Sequence, residues 1–308
     1  MSISASQVKE LREKTSAGMM DCKKALEETQ GDFEAAVEWL RKKGLSSAAK
    51  KSGRIAAEGA VFAQVKNNVG VVVEINSETD FVARNDGFKA FVQNVADHVL
   101  ATKSTTDILQ QPYSKNPSQT MEDLVKENIA TIGENLVIRR AEKYEGTANS
   151  VAHTYIHGEG KIGVMIEVSG PSTSADVKTA AQDICLHIAA MNPMAISGDQ
   201  IPAAVVSKEK EILKAKGLEQ GKKPEMIDKI VEGQIRKFLA ENCLLEQSFV
   251  KNPDLKVTEY LKEASKKVGA DVQVKRFVRF ELGEGIEKKK DDFAAEVAAQ
   301  TAAAMKGH

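Results

Sequence analysis

A few short stretches of this 308-residue chain carry residue types that do chemistry in other proteins. Gly158-Glu159-Gly160-Lys161-Ile162-Gly163 has the glycine spacing of a dinucleotide-binding loop. Such a loop works where it leads from a strand into a helix, so that the first helical N–H groups face a pyrophosphate. Here it lies between YIH and GVMIEV, two apolar runs, which is the setting of a hairpin turn. Gly217 to Lys223, GLEQGKK, resembles a phosphate-binding loop. It has three residues between its glycines where four are needed, and Lys223 stands where Ser or Thr must reach magnesium. His153 and His157 share one strand face with no third ligand nearby. Cys22, Cys185 and Cys243 are far apart and odd in number, which implies reduced thiols and no disulfide framework. No GxSxG, HExxH or Cys/His arrangement marks a nucleophile. The expectation is a protein without a catalytic residue, cofactor or metal of its own.

One loop has a different kind of chemistry. Ser77 to Asn85, SETDFVARN, places a large apolar side chain, Phe81, directly after a carboxylate, Asp80. Burying a phenylalanine is worth about 1.5–3 kcal/mol, so a protruding one is an anchor for a partner. The alternative is that Phe81 caps the core beneath its own helix, and spacing alone leaves both open.

The elements that hold this loop follow from an internal repeat. Shifting the chain by 93 positions aligns Phe62 with Tyr155, Val69-Gly70-Val71 with Ile162-Gly163-Val164, and Glu74 with Glu167. The same shift pairs Phe91 and Val95 with Ile184 and Ile188. Each copy reads as two alternating strands, a loop and an amphipathic helix. Copy two has an ordinary turn, Gly170 to Asp176, where copy one has its Phe81 loop. The expected class is α+β, with two half-domains of antiparallel sheet covered by helices at 55–145 and 146–282. Residues 1–43 read as three short helices, with a Ser4/Gln7 capping box and Asp32 as an N-cap. Residues 44–54, GLSSAAKKSGR, are small, polar and basic and read as a flexible linker. A helical hairpin over 202–247 is expected to project as an antiparallel coiled coil, the alternative being a hairpin flat on the core. The end, 283–308, reads as an Ala-rich helical module with acidic residues at the helix start.

Charge and hydropathy narrow the class of partner. Forty-three basic and forty-four acidic residues give a net charge of −1, far from the cationic excess that nucleic-acid binding uses. No apolar run reaches the roughly 18–20 residues of a membrane helix, and the N-terminus has no signal-peptide core, so a cytoplasmic location is expected.

Two motifs then resemble a known family. Leu11 to Leu26, LREKTSAGMMDCKKAL, and Glu74 to Asn85, EINSETDFVARN, closely resemble the two signatures of the elongation factor Ts family. The repeat, the hairpin and GEGIEK at 283–288 resemble it too, so the likeness covers essentially the whole chain. Ser16 stands where that family usually has Gly, and Ser248 where Pro is common. The resemblance implies a guanine nucleotide exchange factor for elongation factor Tu, a GTPase, with an N-terminal bundle of ubiquitin-associated type. It implies that Thr79, Asp80, Phe81 and Val82 dislodge Mg²⁺ from the partner: Phe81 as a wedge, Asp80 against the water network of the metal, Thr79 and Val82 shaping the loop. It implies partner contacts at Leu11, Met19, Met20 and His157, docking by the terminal helix, and allows a 2:2 complex. Two other readings stand beside it: an adaptor that binds only through the N-terminal bundle, and a nucleotide-binding protein using GEGKIG.

Overall fold

The structure, a computed structural model, describes residues 3–15 and 17–287. Ser16 and the expected terminal helix beyond Glu287 lie outside the described residues.

Three helices open the chain: α1 (Ala5–Thr15), α2 (Met19–Glu28) and α3 (Phe33–Lys51). Ser4 and Gln7 cap α1 reciprocally: the Ser4 N–H donates to Gln7 Oε1 at 3.0 Å and the Gln7 N–H to Ser4 Oγ at 3.2 Å. Asp32 caps α3 by accepting from the Ala35 N–H. Val8, Leu11, Cys22, Ala25, Leu26 and Ala36 form the small bundle core.

The expected linker is a helix. α3 runs through Gly44 and Ala48 to Lys51, and packs along a helix of the first half-domain. A Cβ added at Gly44 would stand 2.8 Å from the Ala130 side chain, and Ala48 is buried in the half-domain core. The run of small residues lets two helices approach closely; in sequence that is indistinguishable from a flexible tether.

The first half-domain contains β1 (Glu58–Lys66), β2 (Val69–Ser77), α4 (Asp80–Ala83), α5 (Asp86–Ala101), the short hairpin β3 (Pro112–Tyr113) and β4 (Asn116–Thr120), α6 (Met121–Ile132) and β5 (Val137–Glu145). β1 and β2 meet at Asn67-Asn68, whose φ values of 52° and 61° are those of a primed hairpin turn, which asparagine tolerates. The sheet order is β1-β2-β5, all antiparallel. Phe88, Phe91, Val95 and Val99 turn one face of α5 into its core.

The second half-domain contains β6 (Ser150–His157), β7 (Ile162–Ser169), α7 (Ala175–Met191), α8 (Ala203–Glu219), α9 (Pro224–Asn242), β8 (Ser248–Phe249), β9 (Asn252–Lys256), α10 (Val257–Val268) and β10 (Val274–Glu281). Its sheet is ordered β6-β7-β10 and is again antiparallel. α8 and α9 pair through Ile227, Val231, Ile235, Leu213 and Val206, while Ile212, Leu218 and Met226 stay exposed. The hairpin is rooted in the body at Ala195, Ile201 and Cys243.

The duplication extends further than the sequence comparison found, and its register differs. Beyond the α8–α9 insertion the copies match at an offset of 136: Gln111 with Gln247, Asn116-Pro117 with Asn252-Pro253, Gly133 with Gly269. The long helices match at 89 and not at 93. His98 of α5 and His187 of α7 occupy equivalent sites, each bonded through Nε2 to its copy's glutamine (Gln111, 3.0 Å; Gln247, 2.9 Å). Each also accepts through Nδ1 a backbone N–H, from Ser114 and Val250. A shift of four returns a helical stripe to the same face, so apolar residues match apolar residues in either register. The correct register leaves four additional residues in copy one between sheet and helix, and α4 is 4 residues long.

Each sheet packs one face on its own helices and the other on the opposite sheet. Val61, Val72, Tyr144, Met165 and Phe280 fill the seam between the sheets. Gly70 and Gly163, equivalent in the two copies, sit at that seam. A Cβ at Gly163 would lie 2.4 Å from Val61 Cγ1, and one at Gly70 would lie 3.0 Å from Met165 Sδ. The last glycine of GEGKIG therefore serves sheet packing. Its turn also bonds to β1, with the Val61 N–H donating to Gly160 O at 2.8 Å.

Two buried carboxylates lie at the seam, and one of them, Glu74, bridges it. Glu74, 0% exposed, accepts from Arg139 (2.8 Å), Arg140 (2.6 Å) and the Gly283 N–H (2.8 Å). Glu167 accepts from Ser150 Oγ and Arg276. Burial works to raise both carboxyl pKa values, but these donors and cations outweigh it and hold both below the usual range.

Two measurements check this account. Gly163→Ala forces a methyl into a filled seam and is expected to cost about 1–3 kcal/mol of stability by denaturant unfolding; an unchanged midpoint would contradict the close approach. The second concerns the histidines, whose pKa values burial holds below their ordinary 6.5 against a partial upward pull from the glutamines. The unfolded chain then binds the protons more readily, so their stabilisation is complete above about pH 6.5 and is lost as pH falls toward the folded values. The denaturant midpoint should drop between about pH 7.5 and about pH 5.5, above the range in which the lowered carboxylates titrate. A flat midpoint across that window would refute neutral burial.

Candidate functional site

The four-residue difference between the copies is the candidate site. Ser77 ends β2 fully buried, and its hydroxyl donates to Thr79 O at 2.9 Å. Thr79, extended at φ −125° and ψ 156°, stands at the N-cap of α4. Its side chain does not cap the helix; both its N–H (2.9 Å) and its Oγ1 hydroxyl (2.6 Å) donate to the Glu134 carboxylate. Asn85 closes the far end by accepting from the Gly87 and Phe88 N–H groups, which starts α5.

Between these fixed ends the side chains separate by direction. Val82 is buried in the half-domain core. Phe81 is 78% exposed, so it does not cap the core: Val82 fills that place. Asp80 is exposed beside it. An exposed ring next to a carboxylate offers insertion into a partner and a local negative charge.

The other expected contact residues lie elsewhere. Met19 and Met20 are exposed on α2, at 57% and 74%. Leu11 is 0% exposed and belongs to the bundle core with Val8 and Leu26. A three-helix module this small needs its few large apolar side chains inside, and Leu11 is one of them, so of the expected contact residues on the bundle it is Met19 and Met20 that stand at the surface. His157 ends β6, exposed, with its Nδ1 3.1 Å from the Tyr155 hydroxyl. His153 pairs with Gln182, so the two strand histidines go to separate partners. Among the described residues no group of three or more His, Cys, Asp or Glu is placed to hold a metal ion, and none of the helices is long and apolar enough to cross a membrane. Cys22, Cys185 and Cys243 are free and buried.

Sequence reading missed the polar ring around the loop. Glu78 accepts from the Asn135 N–H at 2.7 Å and pairs with Arg54. Asn135, buried, donates to the Arg54 carbonyl at 2.8 Å, which joins the end of α3 to the base of the loop. The signal that would have found it is the comparison of GEN at 133–135 with GAD at 269–271 once the offset of 136 is known.

Known proteins match this sequence along essentially the whole chain. The family model described as "Elongation factor TS" matches residues 78–284. A protein named elongation factor Ts from Bdellovibrio bacteriovorus is 69% identical over 312 residues, covering 100% of both chains. One of the same name from Trichlorobacter lovleyi is 48% identical, covering 97% of this chain and 98% of the relative. Another, from Bartonella henselae, is 47% identical over 97% of this chain and 99% of the relative. With its duplicated half-domains, its α4 loop and full-length identity at this level, the chain belongs to the elongation factor Ts family of translation elongation factors.

Proposed function

We propose that the chain is a guanine nucleotide exchange factor for elongation factor Tu, acting by binding and without a chemical active site of its own. The observation that carries this reading is Phe81, held outward beside Asp80 on a loop fixed at both ends. Phe81 enters the partner near its magnesium site and displaces the elements that hold metal and phosphate. Asp80 brings a negative charge to the water network of the ion. Magnesium neutralises the GDP phosphates, so its loss weakens GDP. The factor must bind the nucleotide-free GTPase more tightly than the GDP form, and the coupling is reciprocal. Each tenfold weakening of GDP needs about 1.4 kcal/mol of differential contact. Met19 and Met20 on α2, and His157 on the second half-domain, supply further contacts at separate points. α3 is packed on α6, so the bundle meets the partner as part of the body; this favours exchange over an adaptor acting through an independent bundle.

Release of a fluorescent GDP analogue from elongation factor Tu tests the reading. The wild-type chain should accelerate release strongly. Phe81→Ala should lose about tenfold or more of that acceleration, as expected when an interface anchor worth about 2 kcal/mol is truncated. Its melting temperature should stay unchanged, because the ring is exposed. No acceleration by the wild type would reject exchange, and equal acceleration by both would move the mechanism away from Phe81.

A further inference from the structure

We infer that Glu134 is the positioning residue of the exchange loop: its carboxylate clamps Thr79 so that Phe81 is presented outward. This rests on the exchange reading above. An exposed phenylalanine has a standing drive to bury itself, and a four-residue helix has too few hydrogen bonds to hold its own orientation. Something outside the loop must fix where α4 begins. Thr79 is fixed there through three of its polar groups: its N–H and Oγ1 by Glu134, and its carbonyl by the buried Ser77 hydroxyl. Glu134 itself sits in the turn from α6 to β5, after Gly133 at φ 91°. The next residue, Asn135, holds the end of α3 through the Arg54 carbonyl. One turn thus ties together the loop, the half-domain core and the helix leading from the bundle.

The duplication supplies an internal control. α10 also ends at a left-handed glycine, Gly269, but the residue after it is Ala270 where copy one has Glu134. The α6–β5 turn and its counterpart have the same fold, so the turn does not require a carboxylate. The carboxylate occurs in the copy that carries the additional helix and its exposed ring. Copy two, with Pro171 to Ser174 leading into α7, has nothing to clamp. The burial of Val82 acts in the same direction from the other side of the ring, so the loop is held at a polar point before Phe81 and an apolar point after it.

Exchange rates of four full-length chains, at saturating factor on elongation factor Tu loaded with a fluorescent GDP analogue, test this: wild type, Glu134→Ala, Phe81→Ala and the double variant. Glu134→Gln joins them as an isosteric variant that keeps one acceptor oxygen. Glu134→Ala should slow exchange about tenfold, because a clamp that acts through the ring can lose no more than truncating the ring loses, and Glu134→Gln should fall between it and wild type. On the Phe81→Ala background Glu134→Ala should slow exchange little further, because the clamp acts through the ring; a merely structural role would give the same fold-loss on both backgrounds. Wild-type rates for both Glu134 variants beside a slow Phe81→Ala would overturn the role of Glu134 alone, as would equal losses on the two backgrounds. Equal rates for wild type and Phe81→Ala would overturn the exchange reading and this inference with it.

Discussion

Gly70 and Gly163 have no side chain where two three-stranded sheets meet, and the rest of the molecule depends on that close approach. Each sheet has two apolar faces, one for its own helices and one for the other sheet. A sheet with one face left in water would expose Val61, Val72, Met165 and Phe280, which make the seam. Packing them face to face buries that surface and gives the two half-domains one continuous interior. The contact also brings Gly283, in the turn after β10, close enough to donate to Glu74 in the first sheet. The last described turn of the chain is thereby fastened to the first half-domain.

Buried polar groups then fix the register that apolar contact alone would leave soft. Glu74 and Glu167 are equivalent in the two copies, and each is satisfied by arginine and by further donors. Truncating either arginine partner would leave part of a carboxylate unsatisfied in a dry seam, and that loss is the larger part of what such a pair is worth. The His98–Gln111 and His187–Gln247 pairs do the same for the small hairpins β3–β4 and β8–β9, tying each to its long helix. These pairs recur because the scaffold needs them twice.

The candidate site lies where the copies differ. Copy two carries the α8–α9 insertion; copy one carries α4, with Phe81 exposed, and Glu134 where copy two has Ala270. A duplicated scaffold separates the two demands: what both halves share serves packing, and what one half alone has is free to meet a partner.

Much of this was legible in the residues. Alternation gave the strands, 3.6-residue stripes gave the helices, Ser4, Gln7 and Asp32 gave caps that form, and the position of GEGKIG between apolar runs excluded a dinucleotide loop. The α+β class and the duplication followed from those local patterns, because side-chain periodicity is a property of the chain itself. Four matters were decided only in three dimensions. The 44–54 segment is largely helix, because small residues serve a tether and a close helix contact equally well. The helices align at 89, because a helical stripe matches itself after a shift of four. Leu11 is core and Phe81 is exposed, because exposure depends on which neighbour fills the space, and Val82 fills the one under α4. Glu134 meets Thr79 across 55 residues of chain, and no local pattern encodes a contact between positions so far apart.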